Sequence, residues 1–235
     1  MRFPVALAPV LALTLALVSA CHRPDAAQAA AAPPAAPAVS ETTTAPPPRL
    51  SVPPPDVPAD VSAQAKSLDA LDASVVHLGR LVIALGRTRM PDVQSTIGGG
   101  VIDEQGDGAD WSSWLCYTAP GVARIWLESG PQGSGDFVGS VMAVSDASAR
   151  AEDHCPALPS AYTPIVIEPD IHLGTDAPRI NHLFGADSGI GDWRAFVYSQ
   201  HHHQDNLEYD ESHFLALKFA NGRVVELRAS KQVTS

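Results

Sequence analysis

Positive charge is scarce in this chain of 235 residues: 15 Lys and Arg stand against 26 Asp and Glu, a formal net charge of −11. The few basic residues form no cluster, which argues against a surface for nucleic acid or for polybasic attachment to lipid. Cysteine is sparse too, at three residues, and no C-x-x-C occurs, so a redox-active pair finds no support. No Ser-His-Asp or Cys-His arrangement stands out, and no nucleophile elbow is present. Carboxylates such as Glu128, Glu168 and Asp170 offer no spacing that would couple them as a glycosidase pair. The apolar run from Val5 to Val18 is too short to span a bilayer.

What is present begins with that run. Arg2 precedes it, and the small residues of Val18-Ser19-Ala20-Cys21 follow it. Charged start, apolar middle and small-residue exit make a secretory signal over residues 1–20. The exit resembles a bacterial lipobox, which implies that Cys21 is the lipidated N-terminus of the mature chain. His22 stands where an inner-membrane retention signal would carry Asp. The expected location is therefore the outer membrane, facing the periplasm. Residues 21–60 are rich in Ala and Pro, with Pro33-Pro34, Pro46-Pro47-Pro48 and Pro53-Pro54-Pro55. So few large apolar side chains cannot offset the entropy of ordering, and a disordered, extended linker is expected.

With Cys21 assigned to lipid, Cys116 and Cys155 are left as a pair. An oxidising compartment makes a structural disulfide the expectation.

The remainder reads as two repeats, residues 61–148 and 149–235. Leu85-Gly86-Arg87-Thr88 leads through Pro91 and Val93 to Ile97-Gly98; Leu173-Gly174-Thr175 leads through Pro178 and Ile180 to Phe184-Gly185. Setting Thr88 on Thr175 aligns Pro with Pro, Val93 with Ile180 and Gly with Gly without a gap. The register predicts a short helix in each copy, capped by Thr, with Pro in its first turn and Gly after its end. Before each helix a hairpin is expected, around Val75–Ile83 and Pro164–Ile171, with another helix over about Ser62–Leu71. Strands are expected at Trp111–Tyr117, Ala123–Glu128 and Phe137–Ser145, then at Trp193–Tyr198, His213–Phe219 and Val224–Ser230. Leu215, Leu217 and Phe219 alternate with Ala216 and Lys218, and Asn221-Gly222 marks a hairpin. The expected class is α+β, two tandem repeats, each a short helix packed on an antiparallel sheet.

A lipobox, then Gly86 and Thr88 ahead of Val93 and Gly98, with Asn221-Gly222-Arg223-Val224 closing the second copy, resembles the β-barrel-assembly lipoprotein E family. It resembles still more the tandem β-lactamase-inhibitor-protein fold. The resemblance implies a protein binder that works through its sheet face and loops and has no catalytic centre.

Three features carry candidate chemistry. His201-His202-His203 lies close in sequence to Asp205, Glu208, Asp210, Glu211 and His213. Imidazoles and carboxylates suit Zn²⁺, Ni²⁺ or Cu²⁺, with His201, His203 and His213 as the candidate ligands. Neighbouring His residues on an extended chain point to alternate faces, and the tract reads as a polar loop. Asp103-Glu104-Gln105-Gly106-Asp107-Gly108 begins like a calcium loop, but Trp114 occupies the position that needs Glu, leaving a polar turn. Trp111 and Trp114 lie an odd number of residues apart on an expected strand, so one of them is a candidate exposed contact. No cofactor is implied. The leading expectation is a non-enzymatic, lipid-anchored protein-binding module, either an inhibitor or immunity protein or an accessory of envelope assembly. The alternative is a metal-binding lipoprotein or metal-dependent hydrolase using His201–His213.

Overall fold

Strand-forming residues set an architecture of one eight-stranded sheet and one three-stranded sheet with few helices. The computed structural model describes residues 51–107, 111–130, 135–152, 154–186, 189–204 and 207–234, which belong to a unit spanning Pro47–Ser235. The signal segment, Cys21 and the linker as far as residue 50 lie outside the described residues.

In chain order the elements are α1 (Ala59–Ala63), β1 (Lys66–Ser67), β2 (Val75–Leu78), β3 (Leu81–Ala84), α2 (Met90–Ile97), β4 (Ile102–Gln105), β5 (Ser112–Ala119), β6 (Ala123–Ser129) and β7 (Ser140–Ser145). A 3₁₀ turn at Ser160–Tyr162 precedes β8 (Ile165–Ile167), α3 (Ala177–Phe184), β9 (Trp193–Gln204), β10 (Leu207–Ala220) and β11 (Arg223–Thr234). The large sheet runs β1-β9-β10-β11-β7-β6-β5-β4, and the small one runs β3-β2-β8. All ladders are antiparallel except β1 on β9. Strands from both expected repeats join through β7 and β11, so the border at residue 148 does not divide the sheet.

One face of the large sheet carries the main core. Leu115, Tyr117, Ile125, Leu127, Phe196, Leu215, Leu217 and Leu227 are buried there together with Val93 and Ile97 of α2, Ile180 of α3, and Val76, Leu78 and Ile167 of the small sheet. Helices of eight residues cannot stand alone. Burying those side chains, each contributing roughly 1.5–3 kcal/mol, holds them in place. Both begin with Pro in the first turn and end on a Gly at positive φ, as expected. The caps differ from expectation. Thr88 Oγ1 accepts from Ala84 N–H (2.9 Å) and Thr175 Oγ1 from His172 N–H (2.9 Å), so each Thr fastens the loop before its helix. The residue at the N-cap of α3 is Asp176, which accepts from Arg179 N–H. Lys66 Nζ donates to the Phe184 carbonyl at the other end of α3, a favourable place for a cation.

The hairpin expected at Val75–Ile83 forms as β2 and β3. Its counterpart is shorter: Pro169-Asp170 turns the chain so tightly that Ile171 returns to Ile167 by a single bridge, and β8 pairs with β2 instead. The helix expected over Ser62–Leu71 is confined to Ala59–Ala63, after which the chain joins the sheet edge as β1. Asp103–Gln105, expected within a polar turn, belong to β4, paired with β5; Gly108 of that motif lies outside the described residues.

Two corrections matter for function. The chain from Ser51 to Asp60, expected to be loose linker, packs as an arm on the opposite, outer face of the large sheet. Ser51 N and Oγ both donate to the buried Asp103 carboxylate, at 2.9 and 2.5 Å. The indole N–H groups of Trp114 and Trp126 donate to Ser51 Oγ and the Val52 carbonyl, at 2.7 and 2.9 Å. The His tract, expected as a loop, is instead part of a strand, continuing β9 through Gln204.

Candidate functional site

Side chains alternate between faces along a strand, so register alone lays out the outer face. Cys116, Trp126, Met142, Arg228, Ala216 and Ala195 pair in turn across β5, β6, β7, β11, β10 and β9. The arm overlies this row. At one end Ser51 and Val52 cover Trp114 and Trp126; at the other Val57 and Val61 pack with Trp193, Ala195 and Ala216.

The next row on the outer face holds Ser140, Ser230, Phe214 and Val197, and the row after it Gln232 and Ser212. Between these rows and the arm lies an open cavity of about 580 Å³. Its floor includes Phe214, Ser212, Ser230 and Gln232; Arg228 lies on one side, Asp56 comes from the arm, Ser62 from α1 and Ser67 from the edge strand β1. The volume falls in the usual range for small-ligand clefts. Arg228 is mostly buried and is held from behind, its Nη2 donating to Glu128 Oε2 at 2.5 Å with Ser140 Oγ at 3.5 Å. A guanidinium so fixed is rigidly oriented.

Beyond the cavity the sheet narrows to a ribbon. β11 leaves β7 after Ser230, yet the β10–β11 ladder continues to Asp210 and Thr234, and β9–β10 to Gln204 and Leu207. The ribbon thus projects past its neighbour with Leu207 and Val233 exposed. Residues 205 and 206, including the Asp205 of the His tract, lie outside the described residues.

The structure separates the three histidines read as metal ligands. His201 faces Asp210 and His203 faces Glu208 on the outer face, with Nδ1 to carboxylate distances of 2.8 and 3.3 Å. His213 is buried on the other face, its Nε2 2.7 Å from Glu211 Oε1 and its ring edge-on to Tyr198. Lys231 Nζ completes that group, 2.9 Å from the same Glu211 oxygen. Among the described residues no three His, Cys, Asp or Glu side chains gather as a metal site. Even-odd alternation on β9 and β10 is the reason: 201 and 203 share a parity face that 213, across the hairpin, does not.

Burial pushes the Glu211 carboxyl up, but the hydrogen bonds from His213 and Lys231 outweigh it and leave the group below the usual carboxylate range. Glu226 has the opposite balance: burial raises it, and Lys218 offsets only part.

Cys116 and Cys155 are joined in a disulfide, as expected, packed with Trp114, Trp126 and Met142 under the arm. Trp114 is therefore no exposed contact; it is 1% exposed. Trp111 is half-buried, just before β5. Asp56, Phe214, Arg228 and Gln232 escaped the sequence reading. The alternating pattern Ser212-x-Phe214 and Arg228-x-Ser230-x-Gln232 was the available signal, but nothing local shows that an arm would roof it.

No protein-family model, curated protein or solved structure matches this chain. No helix among the described residues is long and apolar enough to cross a membrane.

Proposed function

We propose that this chain is an outer-membrane lipoprotein, anchored through Cys21 and facing the periplasm, whose folded unit binds another protein and is not an enzyme. The observation that supports binding is the projecting β9–β11 ribbon. Beyond the arm His201 and His203 are exposed on its outer face, and Leu207, at its end on the opposite face, is 64% exposed. Exposed apolar and imidazole groups on a rigid projection suit contact with a protein surface. The partner is an incoming hydrolase blocked by an inhibitor or immunity protein, or a component of envelope assembly that this chain assists.

The resemblance to the tandem inhibitor fold and the lipoprotein E family belongs to the same reading. In its favour, β5-β6-β7 and β9-β10-β11 approach the β7–β11 seam in the same order from opposite sides. Each set follows a helix with Pro near its start and Gly at its end. A duplicated unit joined edge to edge accounts for that order. The metal-binding or metallohydrolase alternative draws no support from the placement of His213.

The test is a cross-linked pull-down from envelope extracts with the full chain and with a His201→Glu/His203→Glu variant. One stoichiometric protein, lost with the variant, is the expected result, and its identity separates inhibitor from assembly accessory. Capture that ignores the ribbon, or no specific capture, overturns the reading. Labelling with a radioactive fatty acid, abolished by Cys21→Ser, tests the anchor.

A further inference from the structure

We propose that the cavity between the arm and β9–β11 binds a short peptide with both ends free, its carboxylate held by Arg228 and its ammonium by Asp56. This inference is independent of the protein-partner reading, because it concerns a cleft beside the ribbon and a small ligand.

The cavity carries opposite charges on opposing walls. Arg228 belongs to the sheet, and Asp56 to the arm that crosses it. Glu128 and Ser140 engage only the Nη2 of Arg228; among the described residues its Nη1 and Nε have no protein partner. The guanidinium is thus fixed along one edge with donors to spare, the arrangement that receives a carboxylate in a defined direction. Because Glu128 already balances the Arg228 charge, a simple anion gains little net attraction there. Asp56 adds a negative charge and favours a ligand that brings an ammonium as well. A zwitterion meets both conditions.

The rest of the lining suits a peptide between those ends. Ser212, Ser230 and Gln232 offer hydroxyl and amide groups able to donate to and accept from peptide bonds. Phe214 and Val197 form an apolar floor for small side chains, and Val57 adds an apolar wall. A cavity of about 580 Å³ holds a di- or tripeptide and excludes a folded chain.

Isothermal titration of the full chain with L-alanyl-L-alanyl-L-alanine tests this, alongside the N-acetylated and the C-amidated forms. Saturable binding of the free tripeptide is expected, with each capped form about tenfold to a hundredfold weaker, since each loses a charge-assisted contact. Arg228→Gln should bring the free form down to the level of the amide and the N-acetylated form below it, since that form then lacks both contacts. Asp56→Asn, a change of charge at an exposed position, should erase the difference between the free and N-acetylated forms while leaving the amide penalty. Equal binding of capped and free peptides overturns the proposal, as does no binding. Binding of N-acetylglucosamine in place of the tripeptide also overturns it and assigns the serines and Gln232 to a sugar.

Discussion

Ser51 Oγ lies 2.5 Å from Asp103 Oδ2 and also accepts from Trp114 Nε1, joining residues 52 and 63 positions apart in the chain. This one hydroxyl pins the arm to the outer face of the sheet. Asp103 is 3% exposed and Trp114 1% exposed, so neither finds water if Ser51 is lost. Ser51→Ala keeps the Ser51 N–H on Asp103 but leaves the buried Trp114 Nε1–H without its acceptor, and should destabilise the fold by about 1–3 kcal/mol, the usual cost of an unpaired buried donor. A chain shortened to begin at residue 61 should lose more and expose Trp114 and Trp126 to collisional quenching of their fluorescence. Unchanged urea midpoints for both would mean that the arm is not part of the folded unit.

The disulfide lies under the same arm and closes 39 residues between β5 and the loop before β8. In the chain-entropy model a loop of that length contributes about 4 kcal/mol. Cys116→Ala/Cys155→Ala should therefore lower the urea midpoint strongly and steepen the slope, because the unfolded chain is released from the cross-link. The reducing agent should act on the native protein only slowly, since both cysteines are nearly inaccessible.

What sequence made legible here followed from local rules. The alternation in Leu215, Leu217 and Phe219, the turn at Asn221-Gly222, and the Pro and Gly bracketing each helix are properties of neighbours, and they placed most strands and both main helices. The cysteine pair followed from counting. The ends of β9 and β10 were missed because His201–Gln204 is polar throughout and the alternation in Leu207-Glu208-Tyr209-Asp210 is only four residues long. Those residues form strands because each is paired across the hairpin, not because one face is buried. The arm was missed for a similar reason. Its composition reads as linker, and its order comes from Asp103, Trp114 and Trp126, all more than 50 residues away. The binding cavity depends on that arm, so it was illegible too.

Separation of the histidines by face predicts unequal roles. His201 and His203 are exposed and paired with exposed carboxylates, which are worth little to stability. His201→Ala/His203→Ala should change stability by no more than about 0.5 kcal/mol. His213→Ala removes a buried ring that bonds Glu211 and packs on Tyr198, and should cost about 1–3 kcal/mol. Thermal melts with and without Zn²⁺ complete the test. A metal-induced rise that needs all three histidines would contradict the placement of His213.

Glu211 and Glu226 should respond to acid in opposite directions. Glu211 is held below the ordinary carboxylate range by His213 and Lys231, against burial. Its contribution to stability is present above the unfolded pKa of about 4.3 and is lost as pH falls through the folded value. Glu211→Gln should therefore be less stable than the parent at neutral pH, with the gap closing in acid. Burial raises Glu226 instead, and Lys218 at 3.8 Å compensates only in part. A raised folded pKa gives stability that is present below about pH 4.3 and lost as pH rises through the folded value. Glu226→Gln should then match or exceed the parent at neutral pH and lose that advantage in acid. Urea denaturation of the three proteins at neutral pH and at about pH 3, below the unfolded carboxylate range, measures both differences. Parallel pH profiles for the two variants would show that burial and ion pairing do not divide these carboxylates as their surroundings require.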